Sequence, residues 1–88
     1  MKIRDTFILK SVAGENLVVP IGSKNISFNA VITLNESGKL LWNVLEKDTT
    51  KENLVEALIG EYDVSREIAE RDVEVFIRSL KENDILED

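Results

Sequence analysis

The sequence predicts a single α+β domain in which three antiparallel strands precede three helices. In the first third of the 88-residue chain, β-branched and aromatic residues dominate, whereas apolar residues recur at helical spacing after position 35. Glycines and short polar segments separate these stretches. Strands that are followed by helices, rather than alternating with them, are typical of a segregated α+β fold. At this length we expect one domain over residues 1–88, with one modest core.

The first two predicted strands form a hairpin. They cover Phe7–Ala13 and Glu15–Gly22, and the glycine between them predicts a turn near Gly14 and Glu15. Pro20 has no backbone N–H to donate, so the second strand is expected to stop pairing near it.

The third predicted strand lies in ISFNAVITL, residues 26–34, which alternates with a period of two. As the last strand of a meander it would lie at a sheet edge, and FNAVIT has no Pro, Lys or Glu to block further pairing. The edge is then either open to a guest strand or covered by a terminus or a second copy of the chain. The residues expected to face the core are Phe28, Ala30, Ile32 and Leu34.

Capping residues predict where the first two helices begin. Asn35 can accept hydrogen bonds from the first turn of a helix that runs to about Glu46. Thr49 and Glu52 have the spacing of a capping box at the start of the second helix. The core-facing residues expected on these helices are Leu41, Val44, Leu45, Leu54, Val55, Leu58 and Ile59.

The third helix, predicted from its N-cap Ser65 to about Glu82, has more apolar surface than one core-facing stripe requires. Either the second helix or the N-terminal segment covers the additional flank, or the flank lines a peptide-binding groove. After the helix, Asn83 or Asp84 can adopt the left-handed conformation that follows a helix end. The core stripe, within an arc of about 100°, contains Ala69, Val73, Phe76, Ile77 and Leu80. The additional flank, about 110° away, contains Ile68, Asp72, Val75 and Ser79.

The composition disfavours most enzyme and nucleic-acid functions. The chain has no Cys and no His, which removes thiol nucleophiles, imidazole bases and the commonest zinc ligands. Its net charge of −6 disfavours binding to phosphates. No segment resembles a signal peptide or approaches the roughly 20 apolar residues of a membrane span. We therefore expect a cytoplasmic protein with no catalytic site, no cofactor, and neither nucleic acid nor membrane as a partner.

Other residues that could form sites are better explained structurally. Trp42, alone in an amphipathic helix, is more typical of a core or boundary residue than of a stacking platform. The four glycines do not have the spacing of a phosphate-binding loop. Glu67, Glu70 and Glu74 are typical of a solvated helix surface, so no metal site is predicted.

Four segments, in their order and spacing, resemble one known family. They are VAGENLVVPIG, ITLNESGKLLW with its Leu34-Asn35 step, TTKENLVEAL, and DVEVFIRSL running into Ile85-Leu86. Together they resemble the PqqD family, also called RiPP recognition elements, over nearly the whole chain. Two turns depart from the family pattern, because many relatives have Gly near Asn83 and an Asp-Gly step near Asp48.

The resemblance implies a winged-helix-like fold that binds the leader segment of a ribosomally made precursor peptide. Members of the family present this peptide to a modifying enzyme, such as a radical SAM maturase or a leader peptidase. The leader is held as an added strand on the third strand, against the third helix. On this chain the implied peptide-binding residues are Phe28, Asn29, Ala30, Val31, Ile32 and Thr33 of the strand and Ile68, Asp72, Val75, Phe76 and Ser79 of the helix.

Two alternatives belong to other functional classes. A winged-helix DNA-binding regulator would need a basic recognition helix, whereas the third helix has a mixed surface with Asp72 on its partly apolar flank. A structural subunit of a larger enzyme would form a constitutive complex that persists without any peptide.

Overall fold

The structure, a computed structural model, describes residues 1–21 and 32–87. Strands β2, β3 and β4 form a three-stranded antiparallel sheet, and three helices follow it, so the predicted α+β fold is confirmed. The elements, in chain order, are β1 (Lys2–Ile3), β2 (Phe7–Val12), β3 (Glu15–Pro20), β4 (Ile32–Leu34), α1 (Glu36–Leu45), α2 (Lys51–Glu61), α3 (Arg66–Glu82) and β5 (Leu86–Glu87).

The strands β1 and β5 form a second, two-stranded antiparallel pair that the sequence did not predict. Ile3 lies opposite Leu86, and the Arg4 amide donates to the Ile85 carbonyl at 2.8 Å. Ile3, Ile85 and Leu86 are buried, so the pair joins the segment before the sheet to the end of α3. Two-residue strands are too short to produce a recognisable period, because a period of two needs at least two repeats.

The β2–β3 hairpin has a two-residue turn at Ala13 and Gly14. Val12 lies opposite Glu15, and the two turn residues have φ angles of 51° and 82°, as a type I′ turn requires. The hairpin prediction is confirmed, but the turn lies one residue earlier than predicted because Glu15 is already paired.

The helix caps agree with two of the three predictions. Asn35 caps α1 and Ser65 caps α3, each accepting a hydrogen bond from a first-turn amide. The prediction that Thr49 caps α2 was wrong. Its neighbour Thr50 is the extended residue before the helix and accepts from the Asn53 amide at 3.2 Å. After α3, Asp84 adopts a positive φ of 58°, as predicted for this turn.

The core lies where the three helices meet the inner face of the sheet. Trp42 is 2% exposed, which confirms its place in the core. Of the five core residues predicted on α3, three are fully buried, while Phe76 and Ile77 are half-buried and pack against the core. The buried apolar residues are Ile3, Val18, Leu34, Leu41, Trp42, Leu45, Leu54, Val55, Leu58, Ala69, Val73, Leu80, Ile85 and Leu86.

The hairpin turn predicts a stabilising substitution at Ala13. A side chain without a local hydrogen-bonding group is strained at positive φ, and Asn tolerates this conformation better. Ala13→Asn should raise the free energy of unfolding by about 0.5–1 kcal/mol in urea denaturation. Ala13→Val should lower it, and a neutral or destabilising Ala13→Asn variant would contradict the type I′ turn.

Two valines of α3 provide a matched test of its orientation. Val73 is 0% exposed, whereas Val75 is 57% exposed. Val73→Ala should lower the free energy of unfolding by about 2 kcal/mol, since it removes two buried methyl groups. Val75→Ala should change it by less than about 0.5 kcal/mol. Equal effects in thermal or urea denaturation would show that α3 is rotated differently about its axis.

Candidate functional site

A groove of about 860 Å³ separates β4 from α3. The start of α1 and one residue of α2 complete its lining, so four elements contribute to it. The described residues that line it are Ile32, Thr33, Leu34, Asn35, Ser37, Gly38, Leu41, Leu58, Arg71, Asp72, Val75, Phe76 and Ser79.

The base of the groove is apolar because it is the surface of the core. Leu34, Leu41 and Leu58 are buried and belong to the core cluster. Ile32 and Phe76 are half-buried and pack against that cluster while also lining the groove. An apolar side chain bound here would therefore contact residues of the core.

The helical wall of the groove has the spacing of one helix face. Asp72, Val75, Phe76 and Ser79 recur at intervals of three and four residues, which places them one above another on α3. Val75 is 57% exposed and Ile68 is 47% exposed. Neither α2 nor residues 1–21 cover this flank, so the first of the two interpretations of the flank does not hold for the described residues.

Ile32 and Thr33 are the described residues of β4 that form the strand wall of the groove together with Leu34 at its base. Both residues pair with β3, opposite Val18 and Leu17 respectively, and β4 is the last strand in the sheet order. Among the described strands, none pairs with the other side of β4. The remaining predicted strand residues, Phe28, Asn29, Ala30 and Val31, lie outside the described residues.

The structure does not place Ile68 among the groove residues. It lies on the same face of α3 as Asp72, but one turn, about 6 Å, closer to the helix N-terminus. The other four predicted helix residues all line the groove.

Sequence reasoning missed the contribution of α1 to the groove. Asn35, Ser37 and Gly38 line the end of the groove at the step from β4 into α1. A Cβ atom on Gly38 would lie 3.2 Å from the Leu34 Cβ and 3.3 Å from the Asn35 Oδ1, so a larger residue would have to push these neighbours back by a few tenths of an ångström. The signal was present in the sequence, since Gly is unusual inside a helix and often indicates close packing.

Two charged residues line the groove, and both belong to α3. Arg71 and Asp72 are exposed and form no ion pair within the described part of the chain. Consecutive helix positions diverge by about 100°, so the two side chains do not face each other. Asp72 lies between Val75 and Phe76 around the helix, whereas Arg71 lies on the far side of Val75.

Ion pairs connect the outer surface of α3 to α2. Lys51 donates to Glu74, and Arg66 donates to Glu52 at 3.0 Å and also to Glu56. The hydrogen bond from Lys51 lowers the pKa of Glu74, and that from Arg66 lowers the pKa of Glu56. All five side chains are substantially exposed, so the pairs stabilise the helix position only modestly.

Residues 1–21 and 32–87 contain neither a cluster of metal ligands nor a membrane-spanning helix. No group of three or more His, Cys, Asp or Glu side chains is arranged to hold a metal ion there. In the same residues, no helix combines the length and apolar character needed to cross a membrane.

Comparisons with known proteins identify one family and two similar solved structures. The model of the family described as coenzyme PQQ synthesis protein D (PqqD) matches residues 8–86. The structure of TbiB1 in complex with the TbiA(beta) leader peptide is similar at 29% identity and a TM-score of 0.76, covering 99% of this chain and 95% of that one. Lasso peptide synthetase B1 complexed with the leader peptide shares the fold at 24% identity and a TM-score of 0.71, with 96% and 93% coverage. No curated protein matched the sequence.

The Lys51–Glu74 ion pair predicts a pH-dependent effect on stability. Because the folded state lowers the pKa of Glu74 below its usual 4.5, the pair stabilises the fold above that pH, and the contribution is lost as the pH falls through the lowered pKa. Glu74→Gln should therefore lower the thermal midpoint slightly at pH 7 and leave it unchanged once Glu74 is protonated. Glu70→Gln, which removes a carboxylate without an ion pair in the described residues, is the control. If the difference in thermal midpoint between wild type and Glu74→Gln does not vary with pH, the Lys51–Glu74 pair is excluded as its source.

Proposed function

The chain belongs to the PqqD family, and we propose that it binds the leader segment of a ribosomally synthesised precursor peptide. The observation that carries the proposal is the open groove between the edge strand β4 and the exposed flank of α3. The likeness to TbiB1, solved in complex with a leader peptide, supports the same role for this groove.

The leader binds as an additional strand along β4. An unpaired strand edge offers backbone donors and acceptors to any extended peptide, which supplies affinity that is independent of sequence. Alternate side chains of the guest then point toward α3, where the groove lining can select them. The proposed contact residues are Phe28, Asn29, Ala30, Val31, Ile32 and Thr33 on the strand and Ile68, Asp72, Val75, Phe76 and Ser79 on the helix.

The apolar base of the groove supplies most of the binding energy that depends on leader sequence. One aliphatic or aromatic anchor buried against Leu41, Leu58 and Phe76 contributes about 1.5–3 kcal/mol. Ordering a flexible leader opposes this gain by about 2–5 kcal/mol. We expect a net binding free energy on the order of −8 to −10 kcal/mol, which corresponds to a micromolar to sub-micromolar complex.

The domain acts as an adaptor without chemistry of its own. Its groove lining contains one carboxylate, Asp72, among the described residues, and the chain has no Cys or His. Holding the leader in the groove leaves the rest of the precursor free for a modifying enzyme, such as a radical SAM maturase or a leader peptidase. The adaptor then raises the effective concentration of the substrate at that enzyme.

Titration of the purified chain with the short peptide encoded beside its gene tests the proposal. Val75→Glu should weaken binding by at least roughly thirtyfold in calorimetry, because a buried carboxylate would replace an apolar contact. Ile8→Glu is the matched control, since Ile8 is an exposed aliphatic residue, 40% accessible, outside the groove lining. In NMR spectra, shifts should concentrate in residues 28–33 and in α3. Unchanged binding by the Val75→Glu variant would exclude this groove as the leader site.

A further inference from the structure

Asp72 has an unusual position within the groove. It is the only carboxylate among the described lining residues, and those from β4, α1 and α2 carry no charge. It lies on the part of α3 that faces β4, beside Val75 and Phe76 of the next turn. Within the described chain it forms no ion pair.

A guest strand in the groove would remove water from this carboxylate. A buried carboxylate without a partner costs several kcal/mol, so the guest must supply a compensating donor. Arg71 also lines the groove but forms no ion pair with Asp72, because neighbouring helix positions point about 100° apart. The domain's net charge of −6 further favours a cationic donor over a neutral one.

The spacing of side chains along α3 and along a guest strand indicates where this donor lies in the guest sequence. Along the axis of α3, Asp72 is about 4.5–6 Å from Val75 and Phe76 of the next turn. Side chains on one face of a strand recur every two residues, or about 6.6 Å. For a guest strand that runs along α3, the residue that faces Asp72 is therefore two positions from the apolar residue that faces Val75 and Phe76.

We propose that Asp72 makes the groove selective for leader peptides that carry a Lys or Arg two residues away from an apolar anchor. This inference rests on the proposed function and adds the charge of the preferred ligand to it. An acidic or aliphatic residue at the same place leaves Asp72 unpaired, so the carboxylate excludes wrong peptides as well as binding the right ones.

Selection from a random library of 12-residue peptides tests the inference with the full chain. Wild type should enrich peptides with Lys or Arg two positions from an apolar residue. Asp72→Lys should enrich Asp or Glu at that position, and Glu70→Lys should select the same peptides as wild type. Glu70 is an exposed carboxylate of the same helix outside the groove lining, so it controls for the change in net charge.

Affinity measurements on one selected peptide complete the test. Replacing its basic residue with Glu should weaken binding to wild type by roughly ten- to a hundredfold. The Asp72→Lys variant should bind this Glu-substituted peptide with most of the lost affinity recovered. Selected peptides that depend on Val75 but show no basic preference, or no reversal with Asp72→Lys, would overturn the inference and leave the proposed function standing. Peptides whose binding is indifferent to Val75→Glu would instead contradict the groove itself.

Discussion

The burial of one face of α3 is the constraint on which the rest of the structure depends. Ala69, Val73 and Leu80 are each 0% exposed, which fixes the rotation of the helix about its axis. Since side chains leave a helix at fixed angles, burying this stripe directs Asp72 and Val75 toward β4. The helical wall of the groove therefore requires no dedicated structure of its own.

Charge is distributed unequally around the same helix. On the side facing α2, Glu74 and Arg66 are engaged by side chains of that helix. On the groove side, Asp72 is left without an ion pair in the described residues. The first arrangement restrains the helix, and the second leaves an electrostatic requirement that a ligand can meet. Surface pairs of the first kind are individually weak, so α3 owes its position mainly to the core.

Features that depend on neighbouring residues were predictable, whereas those that depend on distant contacts were not. Asn35 and Ser65 were recognisable as caps because a cap acts within one helical turn. Thr49 and Thr50 are both of a residue type that caps helices, and only the observed start of α2 distinguishes them. The helical wall of the groove followed from the period of α3, and Gly38 was signalled by its place inside a helix. Leu58 joins the groove through a tertiary contact that leaves no trace in a local pattern. The pairing of β1 with β5 was missed for the same reason.

That small pair has a consequence for how the domain combines with others. Lys2 lies opposite Glu87, so the chain enters and leaves the fold at adjacent points, about 5 Å apart across the ladder. A domain whose two ends are adjacent can be inserted into a surface loop of a larger protein without moving the two sides of that loop apart. The same fold is thus suited in architecture to be either a separate molecule or a module within a larger protein.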